Sequence, residues 1–227
     1  MAPPARPQAA KQDIDSVLAS LIERGIVDDQ NFSILRQHSD VKWEVTFDGA
    51  QHVAIGMGEI DYADLHKELS GRRAYSAKLI DGALLQMMYR FEGEVLVKHR
   101  LAYYPSATLR PFEQGAEEYL RDELYADIVS RRIVPFPVRF DFDRQAAIDI
   151  DHPQSHLTLG DVLGCRIPVT SGVTPRWFVE FVLRNFYQTG RHNFVDQLPP
   201  HRLHFDLTIT NGEKGLMHLV VPAPAAD

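Results

Sequence analysis

Polar and apolar residues alternate along several short segments of the chain, the pattern of strands with one dry and one wet face. In PVRFDFD (137–143), Val138, Phe140 and Phe142 point one way and Arg139, Asp141 and Asp143 the other. In SHLTL (155–159), Leu157 and Leu159 leave His156 and Thr158 opposite. In RLHFDLTIT (202–210), Leu203, Phe205, Leu207 and Ile209 leave His204, Asp206 and Thr208. VKWEVTF (41–47), RAYSAKLI (73–80), ALLQMMYRF (83–91), EVLVKHRLAYY (94–104), AIDID (147–151) and CRIPV (165–169) are further strand-like runs. Asp81-Gly82 and Glu92-Gly93 separate three of them, and two-residue turns of this kind join antiparallel neighbours. Residues 73–104 therefore read as a meander. Asn211-Gly212 predicts a second hairpin, between 202–210 and GLMHLVVP (215–222).

The period lengthens to that of a helix in KQDIDSVLASLIERGIV (11–27), where Ile14, Val17, Leu18, Leu21 and Ile22 form one stripe and Gly25 supplies a stop. DYADLHKELSG (61–71) and the segment 113–132 also read as helices, the second closed by Pro135 and Pro137. TPRWFVEFVLRNFYQTG (174–190) has Thr174 as N-cap, Pro175 in the first helical position and Gly190 as its stop. The expected fold is α+β, a mostly antiparallel sheet made of the meander plus the C-terminal hairpin, with helices packed on one face. The Pro/Ala-rich opening MAPPARPQAA predicts a disordered tail over 1–12, leaving 13–227 as a single α+β domain.

The 227 residues are 44% apolar, enough to bury a substantial core. A net charge of −7 argues against a surface coated in lysine for generic polyanion binding. It leaves room for a local basic patch, because binding follows the field at the site. The single cysteine, Cys165, excludes an internal disulfide framework, suits a reducing cytoplasm and reads as a buried strand thiol. No apolar run reaches about 18 residues and no signal-peptide core follows the start, so a cytoplasmic protein without a membrane partner is expected. Gly56-Met57-Gly58 lacks the rest of a phosphate loop, and no serine sits in a Gly-x-Ser-x-Gly elbow.

If the alternating strands share a sheet, Arg100, Arg139, Asp141, Asp143, His156, His204 and Asp206 fall on one polar face. Three readings of that face stay open. A solvated sheet surface accounts for the alternation, with cross-strand ion pairs worth under about 1 kcal/mol each. Metal-independent phosphodiester cleavage needs one imidazole to take a proton, another to give one, and guanidinium groups on the phosphate. Arg139, Asp141, His156, Arg166 and His204 are the candidates for it, with Asp206 as a further orienting carboxylate. A Mg²⁺ or Mn²⁺ centre would take Asp141, Asp143 and Asp151, with Asp149 and His152 nearby. Arg176 and Arg184 flank Glu180 at helical spacing, which by default is a salt-bridged face. Together with Arg191 and Arg202 they make the C-terminal third more basic than the whole and are candidate phosphate-backbone contacts.

DGALLQMMYRF, LVKHRLAYYP, VRFDFD, HPQSHLTLG, CRIPV and TPRWFVEFVLRNFY resemble the bacterial family known as domain of unknown function 2290, over residues 40–190 or so. The family brings no activity to transfer. The resemblance implies a setting: members occur beside a helicase in anti-phage defence, so a helicase and nucleic acid are the expected partners, and homo-oligomerisation stays open. A fainter similarity is to small bacterial toxins with an Arg-x-Asp strand followed by His-Pro and further histidines; Thr158 stands here where a second histidine is often expected. The expected function is a nuclease working with that helicase. The alternative is a non-catalytic adaptor, or a module binding nucleic acid or a nucleotide, that recruits or regulates it.

Overall fold

The computed structural model describes residues 2–52, 60–121, 123–130, 134–160, 162, 164–187 and 194–223. Their strands form one antiparallel sheet: β1 (Val27–Gln30), β2 (Ile34–Gln37), β3 (Lys42–Thr46), β4 (Ala77–Leu79), β5 (Leu84–Glu92), β6 (Val95–Tyr104), β7 (Val138–Asp143), β8 (Ser155–Leu159) and β9 (Ile167–Pro168). The order is β1-β4-β5-β6-β7-β8-β9, with β3 also on β5 and β2 outside β3. The Asp81-Gly82 turn forms as expected, with Gly82 at φ +86° and the Asp81 carboxylate accepting the Ala83 N–H.

One face of the sheet carries the larger core. Leu85, Met87, Tyr89 and Phe91 of β5, Leu101 of β6, and Val138, Phe140 and Phe142 of β7 are buried there with α1 (Ala5–Glu23) and α5 (Pro175–Phe186). Thr174 caps α5 by accepting the Trp177 N–H, and Pro175 opens it, as the sequence dictates. Phe178 and Phe181 then meet the Phe140 ring edge-on.

Helices are not confined to that face. α2 (Tyr62–Gly71) buries Leu65 and Leu69 among Phe47, Tyr75, Leu84, Ala102 and Tyr104. Leu84 and Leu85 are strand neighbours and point to opposite faces, so α2 lies across the sheet from α1 and α5. The start of β5 is apolar on both sides, and that doubled pattern is the signal that calls for a second cover.

Four other expectations are corrected. The chain is helical from Ala5, inside the segment read as a disordered tail, with Pro7 and Ala10 buried. The carboxylate of Glu94 accepts the Ala5 and Arg6 N–H groups at 2.7 Å each, anchoring a helix start that has no local cap. Glu94→Ala is therefore expected to cost on the order of 1 kcal/mol and to raise amide exchange in the first turn of α1 first; unchanged exchange there would remove the anchor. The helix expected over 113–132 is broken into a 3-10 turn (Phe112–Gln114), α3 (Ala116–Tyr119) and α4 (Glu123–Ile128), with Gly115 between the first two. AIDID is a turn closed by an Ile148–His152 bridge rather than a strand. The C-terminal hairpin is absent from the described residues: Thr210 and Glu213 form a capping box, so Asn211-Gly212 opens a short helix, α6 (Asn211–Lys214), and the flanking segments make isolated bridges. No described helix is long and apolar enough to cross a membrane.

Two buried titratable groups tie this packing to pH in opposite senses. His99 of β6 sits between Phe142 and Tyr89, and its Nε2 accepts the Val173 N–H at 3.0 Å. Burial lowers its pKa from 6.5 to about 4. Between those values the unfolded chain binds a proton that the folded chain refuses. This contribution, on the order of 3 kcal/mol, is complete above pH 6.5 and is lost as pH falls toward 4. Burial of Asp13 on α1 raises its pKa from 3.8 to about 6, against the Arg176 N–H that it accepts. Its contribution is present below pH 3.8 and is lost as pH rises through 6. Asp13→Asn is thus expected to stabilise the protein by about 2 kcal/mol at pH 7.5 and to steepen the rise in stability between pH 4 and 6.5. Urea denaturation at four pH values reads both, and parallel curves for the two proteins would refute the role given to Asp13.

Candidate functional site

Strand pairing decides which of the alternating polar residues meet. The β6–β7–β8 register sets Arg100 opposite Asp141 and Asp141 opposite His156; Lys98 faces Asp143, and Arg139 faces Thr158. Directly opposed residues on one face have Cβ atoms about 5 Å apart. Arg100, Arg139, Asp141, Asp143 and His156 therefore share the expected polar face, behind Phe140 and Phe142.

Two loops convert this face into a recess of about 360 Å³. The 144–154 loop returns the chain into β8 and brings His152 to its wall; the His152 and His156 rings stand edge to face, 5.0 Å between centroids. Just before β9, Arg166 lines the recess, exposed and donating to the Asp151 carbonyl at 3.4 Å. Cys165, half-buried, lines the same recess from this loop rather than from a strand.

His156 is 4% exposed, and Nδ1 faces the Pro153 carbonyl at 2.8 Å, so Nδ1 carries the proton and Nε2 is the basic nitrogen. Burial lowers its pKa, with the Pro153 bond and Asp141 opposing. Burial, then Arg166, lowers that of His152. Lys98 binds Asp143 at 2.7 Å; Arg100 binds Asp141 at 3.3 Å, and Arg139 approaches the same carboxylate at 3.9 Å. Burial alone would raise the Asp143 pKa, but Lys98 and the Ala146 and Gln145 N–H groups hold it below the usual range.

The residues expected to hold a metal, Asp141, Asp143 and Asp151, meet other partners here. The first two spend their oxygens on cations, and Asp151 offers Arg166 its backbone carbonyl. Among the described residues no three of His, Cys, Asp and Glu converge closely enough to hold a metal ion.

His204 and Asp206 also fall outside the site. Their segment crosses the core side of the sheet, where Phe205 stacks on Tyr89 with centroids 6.0 Å apart, and Asp206 pairs with Arg6 at 3.3 Å. Alternation gave their mutual facing correctly but not their layer. Of the expected phosphate contacts, Arg176 is buried and donates to the Pro199 and Val195 carbonyls. Arg184 is exposed but held by Glu180 and Asp196, Arg202 is exposed beyond α5, and Arg191 lies outside the described residues. Arg176 and Arg184 belong to α5, on the opposite side of the sheet from the recess.

The structure adds one residue that the alternation could not supply. His152 precedes the strand, and the signal for it is the His-Pro-x-x-His spacing, in which a turn at Pro153 folds one imidazole onto the other. No curated protein and no solved structure matches the chain. A family model does, over residues 26–221, and the chain belongs to that family, described as "Uncharacterized conserved protein (DUF2290)".

Proposed function

We propose that the recess is a metal-independent phosphodiesterase site acting on nucleic acid. The observation that carries the reading is the pair of imidazoles, 5.0 Å apart, in a recess rimmed by Lys98, Arg100, Arg139 and Arg166. His156, neutral and presenting a basic Nε2, takes the proton of the attacking hydroxyl or water. His152, whose pKa burial and then Arg166 lower, has the Arg166 part offset by a bound phosphate and gives a proton to the leaving oxygen. The guanidinium groups meet the charge that develops on the phosphoryl oxygens. His152 replaces His204 in this scheme.

Partnership with a helicase in anti-phage defence rests on the family resemblance. The test incubates labelled single- and double-stranded DNA and RNA with the protein, alone and with the helicase, in EDTA, Mg²⁺ or Mn²⁺. Cleavage that persists in EDTA and needs both histidines supports the proposal; cleavage that needs metal and Asp141 overturns it.

A non-catalytic adaptor has one observation in its favour. Ile150 is exposed and held at φ +68°, a strained value for a β-branched residue, and it adjoins Gly212 of α6, after which Met217 is 91% exposed and Val220 68%. Under that reading Met217→Asp abolishes capture of the helicase, and His156→Ala leaves every activity of the pair intact.

A further inference from the structure

The recess does not end at β6. Lys98 and Arg100 also line a second hollow of about 370 Å³, which continues across β5 and β3 to Arg36 of β2. The register makes the continuity plain: Arg36 faces Glu44, Glu44 faces Arg90, Arg90 faces Lys98 and Lys98 faces Asp143, one row of charges crossing five strands. We propose that the two hollows are one path for single-stranded nucleic acid, with the second holding the nucleotides that flank the scissile phosphate. This rests on the cleavage reading for its polarity, not for the binding itself.

The charge supports a polyanion. Arg36, Arg90, Lys98, Arg100, Arg139 and Arg166 line the path against three carboxylates, in a chain whose net charge is −7. A concave surface of one sign concentrates the field where the rest of the molecule repels the ligand. Glu44, Asp141 and Asp143 each engage a cation, Arg90, Arg100 and Lys98 in turn. Among the described residues Arg36 and Arg166, at the two ends, have no ion pair, so they meet a phosphate without first breaking one.

Two features select a single strand read by its backbone. His156 lies at the bottom of its recess, 4% exposed, and a phosphate in a duplex cannot leave its helix to reach it, whereas a flexible strand can sink in. Among the described residues the aromatic rings of these strands are buried, Tyr89, Phe91, Phe140 and Phe142 in the larger core and Tyr104 under α2, so none offers an exposed platform on which bases stack. From β2 to β8 the path crosses six strands, about 24 Å at ~4.8 Å per strand, which spans about four to seven nucleotides between an extended chain and a stacked one rising ~3.4 Å per residue.

Fluorescence anisotropy in EDTA, with His156→Asn protein to prevent cutting, tests this on single strands of 2 to 12 nucleotides and on a 12-base-pair duplex. Affinity is expected to climb with length, to level at about four to seven nucleotides, and to be at least about tenfold weaker for the duplex. Arg36→Gln should weaken octanucleotide binding about tenfold, lower the salt slope by ~0.7 and move the plateau to shorter strands. Arg184→Gln, on the α1 and α5 side of the sheet, should change nothing. Equal affinity for duplex and single strand, equal competition by inorganic polyphosphate, or an Arg36→Gln protein that binds like its parent would each overturn the path. An octanucleotide bound through Arg36 but never cut by wild-type protein supports the path and removes the cleavage reading. One that is cut by wild type but bound without regard to Arg36 does the reverse.

Discussion

Replacing His156 by alanine or asparagine is expected to lower metal-free cleavage about 10²–10⁴-fold, the usual worth of a positioned acid–base group. The asparagine variant is the sharper test. Its amide reproduces the Nδ1 donor that the Pro153 carbonyl accepts at 2.8 Å, so the loop keeps its tie while the basic Nε2 is gone. A comparable loss from His152→Ala makes the pair, and not one ring, the reacting unit. The pH dependence carries a sign that can be worked out. Burial lowers the His156 pKa below 6.5, so the neutral base persists to more acid pH than a free imidazole, and kcat/KM should fall as pH drops through that lowered value. On the alkaline side the rate should fall as His152 loses the proton it must donate. The bell is therefore expected to peak on the acid side of neutrality. If His156→Asn cleaves at the wild-type rate while remaining folded, the imidazole pair has no part in the chemistry.

How much of this site the chain announced follows from what a strand pattern encodes. A period of two fixes which side chains share a face, so Arg139, Asp141 and Asp143 were legible from PVRFDFD, and His156 from SHLTL. Register with neighbours fixes which of them meet, and the hairpin turns at 81–82 and 92–93 supplied that for β4, β5 and β6. Layer is a different matter. RLHFDLTIT alternates as cleanly as β7, yet it never joins the sheet beyond isolated bridges and lies over the opposite face, which removed His204 and Asp206. β1 and β2 were missed because VDDQ and ILRQ are short and carry no alternation. That gap hid Arg36 and with it the far half of the charged path. Arg176 misled for a further reason. Its i, i+4 partner is the mark of a surface ion pair, and nothing local told that the segment 194–203 would close over it.

The cost of that enclosure is the second large prediction. Arg176→Met is expected to destabilise the protein by about 3–5 kcal/mol, the range for removing one member of a buried, hydrogen-bonded ion pair. The guanidinium is 8% exposed and reaches Glu180, with Nε on the Pro199 carbonyl at 2.8 Å and an Nη on that of Val195 at 3.1 Å. Methionine fills the stem's volume but leaves both carbonyls without a donor, and each such buried group costs about 1–3 kcal/mol. Glu180 keeps Arg184 at 2.7 Å and His201 at 3.6 Å, which limits the penalty on the carboxylate itself. Arg176→Lys should fall between, because one ammonium cannot span two carbonyls and a carboxylate from the same stem. The measurement is the urea midpoint with its slope, beside oligonucleotide affinity corrected for the folded fraction. A midpoint that drops with an unchanged slope and unchanged corrected affinity makes Arg176 a clamp between α5 and the segment it packs. Full stability with lost affinity would restore it to the nucleic-acid surface and move the binding site to the α1 and α5 side of the sheet.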